Sequence, residues 1–142
     1  MPAEPILVHA SCVAFAGRGV LILGPSGSGK SGLALSLIAL GAGLVADDAV
    51  HLAPDRGGLR ATRPPGLPHL IEARGVGLLR ARGPRSARVV LAVDMGRAET
   101  ERLPPRRSMP LAGIDVDVIW NTPMAHFPAA IRHYVMQGRQ DP

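Results

Sequence analysis

The chain has 142 residues, 16 basic against 11 acidic side chains, a formal net charge of +5 and a single cysteine, Cys12. This length supports one packed domain and excludes a second. A lone cysteine excludes an internal disulfide, and no segment has the pattern of a membrane span or a secretion signal. We therefore expect a single domain over residues 1–142, located in the cytoplasm without membrane contact, with residues 139–142 frayed.

The predicted elements begin with a β-hairpin. Residues 6–15 and 19–23 are apolar runs of strand length, and the three residues between them include Gly17. The second run leads into a Gly-rich octapeptide, and residues 32–40 have the pattern of a helix that ends at Gly41. The sequence therefore predicts the order strand, glycine loop, helix.

The octapeptide at residues 24–31 matches the pattern G-x-x-x-x-G-K-[ST] of phosphate-binding loops. Its glycines let backbone N–H groups surround an anion, while Lys30, the only lysine of the chain, adds a charge against the outer phosphates. Ser31 offers a hydroxyl to Mg²⁺. The alternative is a Gly/Ser turn between two buried elements, but the flanking strand and helix favour a nucleotide site. Its residues are Gly24, Pro25, Ser26, Gly27, Ser28, Gly29, Lys30 and Ser31.

Two adjacent carboxylates, Asp47 and Asp48, follow the apolar residues 44–46. In phosphoryl transfer one carboxylate can organise Mg²⁺ while another accepts a proton from the attacking hydroxyl. Adjacent strand residues point to opposite faces, so both side chains face one atom only if the strand ends between them. Without the phosphate loop, an acidic turn would be the preferred interpretation.

The rest of the chain alternates predicted strands and loops and ends in a helix. Strands are predicted at 49–53, 71–79, 89–93 and 114–120, loops at 54–68 and 97–110, and a helix at 127–137. With the phosphate loop, these elements predict an α/β P-loop nucleotide-binding fold that has a mixed central sheet and flanking helices.

Two further residues are ambiguous when taken alone. His9 lies fifteen residues before Gly24, on the strand expected to pair with the one that leads into the phosphate loop. A histidine in an apolar strand is more often a core residue than a catalytic one. Glu72 could be a metal ligand or the ion-pair partner of Arg74.

The positive charge raises the possibility of nucleic-acid binding. The arginines, however, are scattered along the chain, and four aromatic residues are too few for a base-stacking platform. We therefore expect no nucleic-acid partner.

Four motifs in this order resemble the catalytic domain of bacterial HPr kinase/phosphorylase. They are His9, the phosphate loop, the string LVADD at residues 44–48 and the string IEARGVG at residues 71–77. In that family a histidine stands at this distance before the glycine loop, a double aspartate follows at this spacing, and a Glu-x-Arg-Gly-x-Gly signature comes next. The resemblance implies a P-loop domain related to that of phosphoenolpyruvate carboxykinase. We expect a short form without the family's separate N-terminal domain.

The resemblance implies an enzyme that uses ATP to phosphorylate a serine of the phosphocarrier protein HPr and that, in many members, also removes the phosphate by attack of inorganic phosphate. Asp48 would accept the serine proton with the help of His9, and Arg102 would stabilise the transferring phosphoryl group. The catalytic residues so implied are His9, Lys30, Asp48 and Arg102, and the Mg²⁺ ligands are Ser31, Glu72 and Asp47.

Other features leave alternatives open. The family's glycine-rich phosphorylase signature is not evident at residues 120–125, so the reverse reaction is less well supported than the kinase. A small-molecule kinase of the phosphoenolpyruvate carboxykinase-like group and a non-catalytic ATP-sensing module are the competing hypotheses. The resemblance also implies a homo-oligomer, typically a hexamer.

Overall fold

The computed structural model describes residues 4–142. In this part of the chain the strands are β1 (Ile6–Val8), β2 (Ser11–Phe15), β3 (Arg18–Leu23), β4 (Gly43–Ala46), β5 (Val50–Asp55), β6 (Gly58–Thr62), β7 (Leu70–Ala73), β8 (Gly77–Arg80), β9 (Ser86–Ala98), β10 (Arg107–Leu111) and β11 (Ile114–Asn121), and the helices are α1 (Lys30–Ala39) and α2 (Phe127–Gln137). Neither helix is long and apolar enough to cross a lipid bilayer.

Nine of these strands form one mixed sheet, and β7 and β8 form a separate two-stranded sheet. The large sheet runs β1-β5-β6-β9-β3-β2-β4, and β11 joins β9 and carries β10 beside it. The pairs β3 with β9 and β9 with β11 are parallel, whereas the other pairs are antiparallel. The structure confirms the predicted α/β fold with a mixed central sheet and flanking helices.

The parallel strands β3, β9 and β11 end at the same edge of the sheet. Leu23 at the end of β3 pairs with Asp94 of β9, and Asp94 pairs in turn with Trp120 of β11. Ligands of open α/β sheets bind beyond the carboxyl ends of parallel strands. This edge, where the phosphate loop follows Leu23, is therefore where a site is expected.

The core has two parts, one on each face of the sheet. Ile22 belongs to the part covered by α1 and α2, with Leu37 and Ile131 contributed by the helices. Leu21, which points to the other face, packs in a second cluster with Leu52. Because neighbouring residues of a strand point to opposite faces, the continuous apolar run of β3 is buried on both sides and fixes the start of the phosphate loop.

The predicted strand over residues 6–15 is wrong as a single element. β1 ends at Val8 and pairs with β5, whereas β2 begins at Ser11 and pairs with β3 and β4. The chain changes neighbours at His9, which lies between the two strands and not on the one that pairs with β3. The predicted pairing is confirmed for β2 and β3, which lie antiparallel from Ser11 to Phe15.

The predicted loop at 54–68 is wrong in its first part, which contains the end of β5 and the whole of β6. The two strands are joined by Arg56 and Gly57, which both have positive φ angles, of 52° and 78°. Two such residues are typical of the tight turns of β-hairpins. Pro54 is tolerated because the pairing of β5 with β1 has already ended at Leu52.

Two other predicted boundaries also differ. The expected strand at 71–79 is the hairpin of β7 and β8, which turns at Gly75, a glycine with a φ angle of 86°. The expected loop at 97–110 contains the end of β9 and most of β10, which is paired with β11. The strands predicted at 89–93 and 114–120 lie within β9 and β11, and the helix at 127–137 is confirmed at both ends.

Candidate active site

The phosphate loop joins β3 to α1 and requires glycine at its first position. Gly24 has a φ angle of 147°, and a Cβ atom there would lie 2.7 Å from Ser28 Oγ and 3.1 Å from Met95 Cβ. Gly29, just before α1, has a φ angle of 97°. These backbone conformations turn the loop around the first turn of α1, where free N–H groups favour an anion.

Lys30 folds back over the loop at the start of α1. Its Nζ donates hydrogen bonds to the carbonyl oxygens of Gly24 at 2.8 Å and Pro25 at 3.1 Å, and the residue is 7% exposed. An ammonium group has three protons, so one remains for a further acceptor. Ser28 Oγ is also buried, without a hydrogen-bond partner among residues 4–142. Both groups fit a loop that receives phosphate oxygens.

Asp47 is buried behind the phosphate loop. Its carboxylate accepts a hydrogen bond from Ser11 Oγ at 2.6 Å, a second from Ser31 Oγ at 2.9 Å, and a long one from the backbone N–H of Glu72 at 3.4 Å. Three segments of the chain therefore meet at one carboxylate. The contact with Ser31 orients the hydroxyl that the sequence assigned to Mg²⁺.

Asp48 turns the other way. β4 ends at Ala46, and Asp48 has a φ angle of 71°, in the left-handed region. The side chain of Asp48 is exposed. His9 Nδ1 lies 3.1 Å from Asp48 Oδ1 and 3.0 Å from the backbone carbonyl oxygen of Asp48. The strand thus ends before both carboxylates. Asp47 faces inward to Ser31, and Asp48 faces the open pocket.

The pocket beside the phosphate loop has a volume of about 600 Å³. The residues that line it include His9, Lys30, Ser31, Asp48, Glu72 and Val76. A cavity of this size is in the range of small-ligand sites. It combines a cation and backbone donors at one wall with a carboxylate and an imidazole at another, which is the arrangement needed to move a phosphoryl group to a hydroxyl.

Glu72 reaches the pocket from the hairpin of β7 and β8. It is exposed and lines the cavity, and within the described residues it makes no ion pair with Arg74. The ion-pair interpretation of Glu72 is therefore wrong. Its carboxylate remains available for a cation in the pocket.

The oxygen atoms near the phosphate loop fit a Mg²⁺ ion that arrives with a nucleotide. Residues 4–142 contain no group of three or more histidine, cysteine or acidic side chains arranged to hold a metal. Mg²⁺ usually takes only one or two protein carboxylates and completes its shell with phosphates and water. Ser31 and Glu72 line the pocket and would be direct ligands, whereas Asp47 lies behind Ser31 and would act through it.

The predicted residues do not all meet in this pocket. Arg102 is exposed in the segment between β9 and β10 and does not line the cavity, so its role stays a prediction. Conversely, Ser11 and Val76 line the pocket although the sequence did not single them out. No sequence pattern marks Ser11, because its role depends on the pairing of β2 with β4. Val76 could have been found as an apolar residue within the turn of a hairpin.

Comparison with known proteins agrees with this geometry. Residues 2–90 match the family model of the HPr serine kinase C-terminal domain. The chain is 42% identical over 115 residues to the HPr kinase/phosphorylase of Cupriavidus necator, covering 72% of this chain and 35% of that protein. It is 45% identical over 116 residues to the HPr kinase/phosphorylase of Bordetella petrii, covering 72% of this chain and 37% of that protein. It thus spans well under half the length of these relatives.

The fold is also shared with a solved structure. The HPr(Ser) kinase/phosphatase from Coxiella burnetii superposes with a TM-score of 0.76 at 26% sequence identity, covering 92% of this chain and 93% of that one. The family match extends from before β1 into the first part of β9, to residue 90, and includes the phosphate loop, both aspartates and Glu72. From this match, and from the shared fold, the chain belongs to the HPr serine kinase C-terminal domain family.

Proposed function

We propose that this chain is the catalytic part of a protein kinase that transfers the γ-phosphoryl group of ATP to a serine of an HPr-type phosphocarrier protein. The observation that carries the proposal is that one pocket joins the phosphate loop, with Lys30, to the pair of Asp48 and His9. Either part alone would fit a binding protein, but the two together support a kinase, in which a proton acceptor is needed beside the bound phosphates.

The phosphate loop would bind ATP through its backbone N–H groups and Lys30. Binding would draw the Lys30 ammonium from the carbonyl oxygens of Gly24 and Pro25 to the phosphates, which supply stronger, charge-assisted hydrogen bonds. Mg²⁺ would neutralise charge on the phosphates, held by the Ser31 hydroxyl and the Glu72 carboxylate. The contact of Asp47 with Ser31 keeps that hydroxyl in position.

Asp48 would then act on the acceptor. The serine oxygen forms a bond to the γ-phosphorus, the bond from that phosphorus to the bridging oxygen of ADP breaks, and the serine proton passes to Asp48. His9 holds Asp48 at both its carboxylate and its carbonyl oxygen, so the carboxylate keeps one orientation. In the reverse reaction, attack by inorganic phosphate on phosphoserine, the protonated Asp48 would return the proton to the serine oxygen. Arg102 would come close to the transferring group only if its segment moves.

The surface beside the pocket favours a protein as the acceptor. Val76, which lines the pocket, is 76% exposed, and Leu78 on the same hairpin is 68% exposed. Exposed apolar side chains next to a site are typical of a protein contact. A small-molecule acceptor would leave this surface in water. Assembly into a homo-oligomer, with a hexamer as the family expectation, and a cytoplasmic location are parts of the same proposal.

The proposal is tested by incubating the chain with γ-labelled ATP, Mg²⁺ and purified HPr. We expect label on a serine of HPr, located by mass spectrometry of its peptides, and none on an HPr variant with that serine replaced by alanine. Label found only on a small molecule in a metabolite extract would support the small-molecule kinase instead. ATP binding without transfer to any acceptor would support the sensing module.

A further inference from the structure

A second pocket, which the mechanism above does not use, lies at the same edge of the sheet. It has a volume of about 390 Å³, and we call it the Trp120 pocket. It is lined by Asp94, Arg97, Arg107, Met109, Val118 and Trp120, among others. These side chains belong to β9, β10 and β11.

The Trp120 pocket adjoins the phosphate loop on the side away from Asp48. In the sheet β3 has β2 and β4 on one side, and Asp48 follows β4; on the other side it has β9 and then β11. Gly96, next to Arg97, packs on the loop so closely that a Cβ there would lie 3.2 Å from Pro25 Cδ. The loop therefore lies between the two pockets.

The spacing suits a nucleotide bound across this edge. Neighbouring strands lie about 4.8 Å apart, so Trp120, on the second strand from β3, is displaced from the loop by about 10 Å. A ribose and a base extend over such a distance. When the outer phosphates face Asp48, the nucleoside points to the opposite side, where the Trp120 pocket lies.

The walls of the Trp120 pocket favour a flat, uncharged group. The Arg107 guanidinium lies 3.7 Å from the centre of the Trp120 ring and is neutralised by ion pairs with Glu99 and Glu101. Arg97 lies 5.5 Å from the same ring. Because the carboxylates balance the charge of Arg107, the pocket attracts an anion less strongly. The planar faces of Trp120 and the guanidinium groups can still stack on a ligand.

Arg97 is the part of the pocket that can adapt to a ligand. Its side chain is 66% exposed, and its one ion pair within residues 4–142, to Asp94, is long at 3.5 Å. A guanidinium plane stacks well on a nucleobase, and a carboxylate such as Asp94 accepts a hydrogen bond from an amino group of the base. Met109 and Val118 supply an apolar floor.

We propose that the Trp120 pocket holds the purine base of the nucleotide whose phosphates occupy the phosphate loop, with Arg97 stacked on the base. The inference depends on the proposed function, because it assumes a nucleoside triphosphate in the loop. It adds that the donor is recognised through its base as well as its phosphates, so that inorganic polyphosphate binds more weakly than ATP.

Trp120 is the only tryptophan of the chain, so its fluorescence reports on this pocket alone. We expect ATP to change the emission, while inorganic tripolyphosphate competes with ATP for the loop and leaves the emission unchanged. The Arg97→Ala variant should bind ATP about tenfold more weakly by calorimetry, the effect of losing one base-stacking contact, and should bind tripolyphosphate as the unaltered protein does. Arg85→Ala, an exposed arginine just before β9, is the matched control and should change neither affinity.

The outcomes separate the two proposals. If ATP binds with no change of emission and Arg97→Ala binds it as Arg85→Ala does, the base site is wrong while the proposed function stands. An emission change that reaches its midpoint at the same ATP concentration in Lys30→Ala as in the unaltered protein would mean a second, separate nucleotide and would also overturn the inference. Absence of binding by both ATP and tripolyphosphate, in protein shown to be folded by circular dichroism, would overturn the proposed function together with this inference.

Discussion

Replacement of Asp48 by asparagine separates proton transfer from every other property of the site. The amide has the shape of the carboxylate but does not take up a proton at neutral pH. Asparagine is also among the residues that best tolerate a positive φ angle, and Asp48 has a φ angle of 71°. The backbone turn that directs the side chain to the pocket should therefore remain.

The expected loss of rate follows from the role of a general base. Positioned general bases contribute about 10²- to 10⁴-fold, which corresponds to about 3–5 kcal/mol of activation free energy at 1.36 kcal/mol per tenfold. The effect on stability should be small. The side chains of Asp48 and His9 are 76% and 52% exposed, and even a fully charged pair at such an exposed position contributes only about 0–1 kcal/mol. A large loss of rate with nearly unchanged unfolding is the expected signature.

The assay is the single-turnover transfer of label from ATP to HPr at saturating concentrations of both. We expect Asp48→Asn to bind ATP with an affinity close to that of the unaltered protein and to transfer at least a hundredfold more slowly. Asp115→Asn, at an exposed carboxylate on β11, controls for the loss of one negative charge. Transfer by Asp48→Asn at the rate of Asp115→Asn would refute the assignment of Asp48 as the proton acceptor.

Three further outcomes are expected. Lys30→Ala should bind ATP about 10- to 100-fold more weakly by calorimetry, because a charge-assisted hydrogen bond contributes about 1.5–3 kcal/mol; equal affinity would exclude Lys30 from phosphate binding. Val76→Ser should raise KM for HPr several-fold in steady-state assays without changing ATP affinity, whereas Leu40→Ser, at the far end of α1, should leave KM unchanged. Equal KM values for the two variants would argue against contact between HPr and the hairpin of β7 and β8. Burial raises the pKa of Cys12 to about 12, so at pH 8 a thiol reagent should react with Cys12 only when the protein is denatured. Mass spectrometry measures the modification, and rapid modification of the folded protein would contradict the burial of Cys12.

The parts of the fold that sequence predicts are those whose geometry is local. The phosphate loop is set by its own glycines, and Phe127 to Gln137 form a helix through side chains spaced three and four residues apart. Strand pairing is different, because it depends on distant partners. Nothing in the sequence near His9 indicates that the strand before it pairs with β5 and the strand after it pairs with β3. Pro54 predicts the end of a strand unless the end of the pairing between β1 and β5 is known.

The site follows the same division, because its local motifs were visible in the sequence and the contacts between distant strands were not. Residues from all four motifs line one pocket, among them His9, Lys30, Ser31, Asp48 and Glu72, and the roles assigned to them stay predictions. Which of the two aspartates faces the pocket was not predictable, because it depends on the left-handed turn at residue 48 and on a hydroxyl supplied by a different strand. The Trp120 pocket combines residues from β9, β10 and β11 that share no sequence pattern.

The different environments of Asp47 and Asp48 suit these adjacent carboxylates to different roles. Asp47 accepts three hydrogen bonds and is 9% exposed, so it is fixed and suited to orienting Ser31. In the proposed mechanism Asp48 exchanges a proton with an incoming serine, and within residues 4–142 its carboxylate contacts the side chain of His9 alone. The left-handed conformation at Asp48 costs about 1–2 kcal/mol in an ordinary residue, and such strain is kept where a side chain must point in one direction. An alanine at this position would lose the carboxylate and keep the strain, so its lower activity would not by itself identify the proton acceptor.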